Sequence, residues 1–442
     1  MRVPDALNVR SLILLVAFVS LVGDVLVVDA LGQRSSFERP PIDYHNAEVN
    51  DPVAKLARDI ESGKAELDYD DKFGYLKSVL EALDVPESSQ TLVFSKTSLQ
   101  LHRISPRNPR SLYFNDNVYV GYCQQGDVLE FASTDAKQGA TFYTLKQSES
   151  DQPEFVRDRG GCLSCHASGR TQNVPGYLVR SVFSDPGGRP KFGSGTFLTD
   201  HTSDFKDRWG GWYVTGDHGS MRHMGNFTSD EDETELDRES GANVKSLDKF
   251  IRTDNFLTPH SDIVALMVLE HQTQMHNAIA AANYETRQAV HQSRQMNELL
   301  ERDPDYLSES AQRRIQSAAD QVLEYMLMCE EFELTDRVRG SSEFASEFEG
   351  RGKRDQRGRS LRDFDLNTRL FRYPCSYLIH SDAFDALPGL VRDRVFEGLV
   401  AVLSGADTSE EYAHLSASTR RDILEILRDT KPEIKRFELA NQ

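Results

Sequence analysis

The chain has 442 residues, with 51 Lys and Arg against 70 Asp and Glu, which gives a formal charge of −19. This length exceeds one ordinary hydrophobic core and predicts two or three domains. The acidic balance argues against a nucleic-acid binder, because neutralising phosphates requires a surplus of Lys and Arg.

The N-terminal segment has the pattern of an export signal. Arg2 and Arg10 precede the apolar run SLILLVAFVSLVG, which VLVV extends, and the small residues near Ala30 are suited to cleavage. Asp24 and Asp29 interrupt the run, which disfavours a permanent transmembrane helix. We therefore expect a signal peptide or an N-terminal membrane anchor over residues 1–32. Either one would locate the protein in the periplasm or on the outer face of the cytoplasmic membrane, and the segment is a possible membrane attachment.

Residues 44–150 are predicted to form an α+β region. Two stretches, DPVAKLARDIESG and DKFGYLKSVLEALD, have helical character. Strand-like runs follow, TLVFSK, SLYFNDNVYVGY, DVLEFAST and ATFYTL, separated by Asn, Asp and Gly. The second run predicts a hairpin that turns at Asn115, Asp116 and Asn117. We expect a small antiparallel sheet covered by helices.

The next region, 154–228, contains the sequence CLSCH. Cys162 and Cys165 lie three residues apart and His166 follows directly. Two thiols at this spacing can add to the two vinyl groups of haem, and the adjacent imidazole can then bind the iron. This interpretation predicts one covalently bound haem c, with His166 as the proximal iron ligand.

Two other interpretations of the motif remain open. A thioredoxin-like redox dithiol needs a strand before the motif and a helix after it, whereas the preceding EFVRDRGG is charged and ends in glycine. A structural zinc site needs two further ligands, and the chain has no second CxxC. The remaining cysteines, Cys123, Cys329 and Cys375, are odd in number, so at least one cannot pair within the chain.

The motif CLSCH resembles that of the c-type cytochromes, and VPGYL, which follows it, resembles the Pro/Gly turn of small cytochromes. More broadly, GGCLSCHASGR, TDHTSDFKDRWGGWYVTG and RYPCSYLIHS are similar to segments of uncharacterised bacterial exported proteins with a cytochrome c domain. The resemblance spans about residues 93–403. It implies covalent haem attachment at Cys162 and Cys165 and iron ligation by His166, without implying a substrate.

The distal iron ligand is predicted from its sequence separation from His166. Met224 lies 58 residues after His166, a separation similar to that of small cytochromes. We predict that it is the distal ligand, although the usual ligand-loop sequence is missing. The alternatives are Met221, His201, His218 and His223 in neighbouring loops, and His271 or Met275 on an apolar helical stripe.

Aromatic and basic residues near the motif suit a haem pocket. Trp209 and Trp212 would line the macrocycle, and Arg170, Arg180 and Arg208 would pair with its propionates. Each of these residues also has an alternative interpretation: the tryptophans could belong to an ordinary strand core, and the arginines could be exposed to solvent.

The rest of the chain is predicted to be scaffold. Residues 229–241 form an acidic linker, for which calcium binding is the alternative. A helical region spans 256–335, a flexible charged linker 340–363 and a C-terminal helical region 366–430. The predicted fold class is mixed α+β and predominantly helical, with a small antiparallel sheet, a cytochrome c-like haem segment and C-terminal helices. Cys375 and His380 are close in sequence, but a catalytic pair is normally assembled by the fold.

The predicted function is an exported single-haem c-type cytochrome that carries out one-electron transfer with redox partner proteins. The alternative is a haem enzyme or sensor with an open distal site, in which His201, His218 or His223 would act as acid–base groups on peroxide or another small ligand.

Overall fold

The computed structural model describes residues 36–191, 193–228 and 237–440. The predicted signal or anchor segment and residues 229–236 of the acidic run lie outside the described residues. The chain divides into two compact units, Met1–Ala47 and Glu48–Gln442. The described part of the first unit contains one short 3-10 turn, Ser36–Glu38. Among the described residues, the β-strands and α-helices all belong to the second unit.

A seven-stranded antiparallel sheet organises the second unit. Its strands are β1 (Thr91–Val93), β2 (Arg110–Phe114), β3 (Val118–Tyr122), β4 (Val128–Asp135), β5 (Gly139–Lys146), β6 (Phe155–Arg157) and β9 (Trp212–Tyr213). Their order in the sheet is β6-β5-β4-β3-β2-β1-β9. Asn115 closes the predicted hairpin between β2 and β3 by accepting hydrogen bonds from the amides of Asn117 and Val118 at 3.0 and 2.9 Å, so this prediction is confirmed. Two further strands, β7 (Arg180–Val182) and β8 (Thr196–Leu198), pair separately.

The two faces of this sheet differ, because side chains alternate along a strand. On β4, Leu129 and Phe131 face a hydrophobic core shared with helices α1 (Pro52–Glu61) and α2 (Leu76–Ala82). Asp51 caps α1 and accepts a hydrogen bond of 2.6 Å from the Tyr143 hydroxyl of β5, which attaches the helix to the sheet. The opposite face is left for a different set of residues.

Helices dominate the second half of the chain. The 37-residue helix α4 (Ile263–Leu299) is buried on all sides over its first half, including the predicted apolar stripe with His271 and Met275. The other helices of the described residues are α3 (Leu163–His166), α5 (Glu309–Met326), α6 (Phe344–Gly350), α7 (Asp382–Asp385), α8 (Gly389–Ser404), α9 (Ala417–Thr430) and α10 (Lys435–Ala440). None of the helices in these residues is both long and apolar enough to cross a membrane.

The mixed helix-and-strand composition is as predicted, but the sheet is larger than the expected small one. The two outermost strands, β6 and β9, have three and two residues, too few to show an alternating pattern in the sequence. The stretch 340–363, predicted to be a flexible linker, contains α6, whose Phe344 and Phe348 are buried.

Candidate functional site

One helical turn presents the CLSCH motif. In α3 the amides of Cys165 and His166 both donate to the carbonyl of Cys162, at 3.1 and 3.0 Å. The Asp158 carboxylate fixes the start of this turn by accepting from the amides of Gly160 and Cys162, both at 3.0 Å. Because residues three apart are neighbours on a helix, the two thiols lie on the same side of the turn.

His166 is held in one orientation by Gly176. The Gly176 carbonyl lies 2.9 Å from His166 Nδ1, and the Gly176 amide donates to the His166 carbonyl at 2.8 Å. A carbonyl oxygen can only accept, so Nδ1 carries the hydrogen and Nε2 keeps its lone pair. Burial lowers the pKa of His166, which favours the neutral ring. The imidazole is therefore in the form that binds a metal ion.

Asn277 of α4 fixes the segment that supplies this carbonyl. Its side-chain oxygen accepts from the Tyr177 amide at 2.8 Å, and its amide nitrogen donates to the Tyr177 carbonyl at 2.9 Å. A Cβ on Gly176 would lie 2.3 Å from Asn277 Oδ1, so this close approach requires glycine. The fully buried Asn277 thus positions His166 through the backbone.

A cavity of about 540 Å³ opens beside the motif. Cys162, Cys165 and His166 all line it, and the ring of Phe142 packs 5.0 Å from the His166 ring. The floor of the cavity is the second face of the sheet, and helix α4 contributes to another wall. The residues from these elements are Arg110, Leu112, Tyr119, Glu130, Phe131, Ala132, Phe142, Tyr143, Thr144 and Trp212 of the sheet and Leu269 and Thr273 of α4.

The cavity opens toward the loop between β1 and β2. Leu99 and Leu101 line it and are nevertheless 63% and 51% exposed. A ligand that fills the cavity would cover these two leucines, and removing their apolar surface from water would favour binding. This loop therefore forms the mouth of the cavity.

Charged groups lie inside the cavity. The Arg110 side chain lies against Gly121, where any larger residue would meet its guanidinium. Arg110 forms a salt bridge with Glu130 at 2.7 Å. The Nε atoms of Arg110 and Arg180 are buried and have no hydrogen-bond partner. Burial, and then the nearby charge of Arg170, lower the pKa of Arg180. An anion in the cavity would relieve this unfavourable placement of positive charge.

The thiols of the described cysteines are all free. Burial, and next the carboxylate of Asp158, raise the pKa of Cys162 to about 12. Such a thiol is protonated near neutral pH, which weighs against the dithiol interpretation, because the reactive species there is a thiolate. Cys123, Cys329 and Cys375 are buried. Burial also raises the pKa of Cys375 to about 12, which weighs against its use as a nucleophile.

Met224 does not line the cavity. It is buried, and its sulfur lies 3.7 Å from the hydroxyl of Ser181. Ser181 follows Arg180 in β7, and neighbouring strand residues point to opposite faces. Since Arg180 lines the cavity, Met224 lies behind this strand. The structure does not bring Met224 together with His166, and its role as distal ligand stays a prediction.

The histidines considered as distal groups also lie elsewhere. His218 donates from Nδ1 to the Met221 carbonyl at 2.7 Å and accepts at Nε2 from the Asn243 amide at 2.9 Å. His223 accepts at Nδ1 from the Gly225 amide at 2.9 Å. His201 and His271 are buried and contact each other, with their Nδ1 atoms 3.1 Å apart.

The predicted aromatic and basic residues are divided between two places. Trp212 lines the cavity and donates from Nε1 to the Arg180 carbonyl at 2.8 Å. Trp209 is fully buried outside the cavity lining, and Arg208 pairs with Glu270 at 3.2 Å. Arg170 is exposed. Of the three arginines, Arg180 is the one that lines the cavity.

Sequence reasoning missed several residues of the cavity. Arg110, Tyr119 and Glu130 occupy the strand positions that alternate with core residues, and charges at such positions are normally interpreted as a solvent-exposed face. The one available signal was Gly121, since a glycine within a strand often marks a close approach of other groups.

A haem c requires two thiols on one turn and an imidazole whose Nε2 is unprotonated. It also requires an apolar cavity for the macrocycle and positively charged side chains for its propionates. The residues around the cavity fit each of these requirements. Within the described ranges, no three or more His, Cys, Asp or Glu side chains are grouped so as to hold a bare metal ion. Comparisons with protein families, with characterised proteins and with solved structures found no match to the chain.

Proposed function

We propose that this protein is a single-haem c-type cytochrome that carries one electron at a time between redox partner proteins. The observation that carries the proposal is the position of Cys162, Cys165 and His166 on one wall of a cavity of about 540 Å³. This volume falls in the range of cofactor sites, roughly 300–1,000 Å³. When bound, the haem supplies a one-electron couple at its iron.

The chain's own residues would bind and orient the cofactor. Cys162 and Cys165 would hold it through two thioether bonds, and His166 would present Nε2 to the iron while Gly176 keeps Nδ1 protonated. Arg110 and Arg180 would pair with the propionates, which gives their unpartnered Nε atoms an acceptor. Phe142, beside the His166 ring, would exclude water from the proximal side.

Export is part of the proposal, because covalent haem attachment takes place outside the cytoplasm. The sequence pattern over residues 1–32 supports it. We accordingly propose a location in the periplasm or on the outer face of the cytoplasmic membrane, where redox partner proteins would exchange electrons with the haem.

One observation favours a second candidate function, a haem enzyme or sensor with an open distal site. Among the described residues that line the cavity, His166 is the one histidine, and none is a methionine. With a single strong protein ligand, the iron would keep a position for a small molecule. Carbon monoxide distinguishes the two functions: a shift in the spectrum of the reduced holoprotein favours the open site, and an unchanged spectrum favours a six-coordinate carrier.

The test of the principal proposal is covalent attachment of haem. The full chain is expressed with haem-maturation machinery, extracted with acid–acetone and assayed by its pyridine haemochrome spectrum. We expect haem to stay with the wild-type polypeptide and with the control Ser164→Ala, which changes the exposed residue between the thiols. Cys162→Ala/Cys165→Ala should lose it. A folded, exported wild-type protein without attached haem would refute the proposal.

A further inference from the structure

A buried polar cluster lies directly behind one wall of the cavity. We call it the Glu270 cluster; its members are Thr199, His201, Arg208, Glu270, His271 and Tyr325. Glu270 and Thr199 are fully buried. Three of the cluster's oxygens, Glu270 Oε1, Thr199 Oγ1 and the Tyr325 hydroxyl, are shielded from solvent and have no hydrogen-bond partner. Unpaired polar atoms of this kind are rare in protein interiors and require an explanation.

The cluster is joined to the cavity wall through the backbone. Glu270 follows Leu269 on α4, and Leu269 lines the cavity. The Thr199 amide donates to the carbonyl of Val179, another lining residue, at 3.1 Å. Glu270 and Thr199 are thus each joined to a residue that lines the cavity, Glu270 by sequence and Thr199 by a backbone hydrogen bond.

Glu270 is the group in the cluster whose charge can change near neutral pH. Burial raises its pKa to about 7, against the opposing effect of Arg208, whose guanidinium lies 3.2 Å away. Burial lowers the pKa of His201 to about 4 and that of His271 well below its usual value, so both rings are neutral. Burial also raises the pKa of the Tyr325 phenol, which stays protonated.

Two other acids act on the cluster from neighbouring segments. Asp200 adjoins Thr199 and raises the pKa of Glu270. Glu331, which accepts from the Leu370 amide at 2.7 Å, lies beyond Arg208. The titratable and charged groups of the cluster and its surroundings are therefore one cation, two acids, two neutral histidines and a neutral phenol: Arg208, Asp200, Glu331, His201, His271 and Tyr325.

The cluster can accommodate either state of Glu270. As a carboxylate, Glu270 is stabilised by Arg208 and by the nearby hydroxyl of Thr199. As a carboxylic acid, it can donate to the same hydroxyl, because a hydroxyl group rotates to donate or accept. A small movement of the Thr199 side chain toward Glu270 Oε1 would therefore give both unpaired oxygens a partner in either state of Glu270.

We propose that this protein takes up a proton at Glu270 when it takes up an electron, and this inference rests on the proposed haem function. One electron from an external one-electron donor and one proton from water enter together, and both leave on reoxidation. The added negative charge near the carboxylate raises its affinity for the proton. For two charges roughly 10 Å apart in a medium with an effective dielectric constant of about 20, Coulomb's law gives a change in proton affinity on the order of tenfold.

The experiment measures the midpoint potential of the holoprotein by spectroelectrochemistry from about pH 5 to about pH 9. We expect the wild-type potential to fall with rising pH around neutrality by about 59 mV, which corresponds to a tenfold change in affinity for a one-electron couple. Glu270→Gln, which keeps an oxygen for Arg208 and cannot ionise, should have a nearly constant potential.

Glu331→Gln is the matched control. Burial raises the pKa of Glu331 to about 7 as well, but the residue adjoins none of the lining residues in sequence. We expect this variant to keep the wild-type dependence. Redox-difference infrared spectra supply a second readout, in which reduction should produce a carboxylic-acid band that Glu270→Gln lacks.

The failure of this inference can be distinguished from failure of the proposed function. Covalent haem is measured first on the same samples, and a chain without haem refutes both proposals. A haem-loaded wild type with a pH-independent potential and no infrared band refutes proton uptake alone. An equal pH dependence in Glu270→Gln and wild type would also overturn the assignment to Glu270.

Discussion

The Nδ1 atoms of His201 and His271 lie 3.1 Å apart in the protein interior. His201 Nε2 faces the Cys329 carbonyl at 3.3 Å, so it carries the hydrogen and His201 Nδ1 is an acceptor. His271 therefore donates from Nδ1, and its Nε2 accepts from the Ser376 hydroxyl at 2.8 Å. With both rings neutral, the hydrogen bonds run in one direction from Ser376 to Cys329.

Replacing His271 by Phe should destabilise the protein, because His201 Nδ1 and the Ser376 hydroxyl lose their shared partner inside the core. We expect the free energy of unfolding to fall by about 2 kcal/mol or more. Urea unfolding followed by tryptophan fluorescence measures it. His102→Ala serves as the control, since its side chain is 60% exposed. Equal stability of His271→Phe and wild type would contradict the network.

The stability of the haem-free protein should depend on pH through Glu270. Burial raises its folded pKa from 4.5 to about 7, so the protonated form is favoured in the fold. This contribution is complete below about pH 4.5 and is lost as pH rises through about 7. We expect wild type to lose up to roughly 3 kcal/mol relative to Glu270→Gln across this window. Urea unfolding at both ends of the window measures the difference, and a constant difference would contradict the raised pKa.

Arg208→Met should leave the buried Glu270 without its cation. We expect a loss of about 3–5 kcal/mol above pH 7, where Glu270 would otherwise be ionised, and a smaller loss in acid. The double variant Arg208→Met/Glu270→Gln should recover much of the stability at high pH. A double-mutant cycle of unfolding free energies measures the coupling, and additive losses would show that the two residues act independently.

Gly176→Ala should disturb His166 without touching the thiols. The new Cβ would meet Asn277 Oδ1 at 2.3 Å and displace the carbonyl that holds the imidazole. We expect covalent haem to be retained while the visible and electron paramagnetic resonance spectra show altered iron ligation. Gly169→Ala is the control, because its Cβ would meet no atom within 4 Å. Identical spectra for Gly176→Ala and wild type would exclude this positioning role.

Met224→Leu tests the distal ligand. Since Met224 lies behind β7 and contacts Ser181, we expect the holoprotein spectrum of the variant to match that of wild type. The measurement is the sulfur-to-iron charge-transfer band of the oxidised protein. A band that is present in wild type and lost in Met224→Leu would support the ligand assignment made from the sequence.

Local features of the fold were predictable from the sequence, because they depend on neighbours in the chain. The hairpin at Asn115 follows from turn-forming residues between two strand-like runs. The helical character of α4 follows from the three- and four-residue spacing of its apolar residues, although the structure buries every side of its first half. The motif itself places Cys162, Cys165 and His166 on one turn for the same reason.

The cavity and the Glu270 cluster required the tertiary structure. Arg110 and Glu130 resemble solvent-exposed strand residues until α3 and α4 cover that face of the sheet. Glu270 and Arg208 are 62 residues apart, and no local pattern predicts that both are buried or that they pair. The spacing of the motif and its position on one turn are local properties of the chain, whereas its surroundings depend on the packing of distant segments, because burial and charge pairing are set by spatial neighbours.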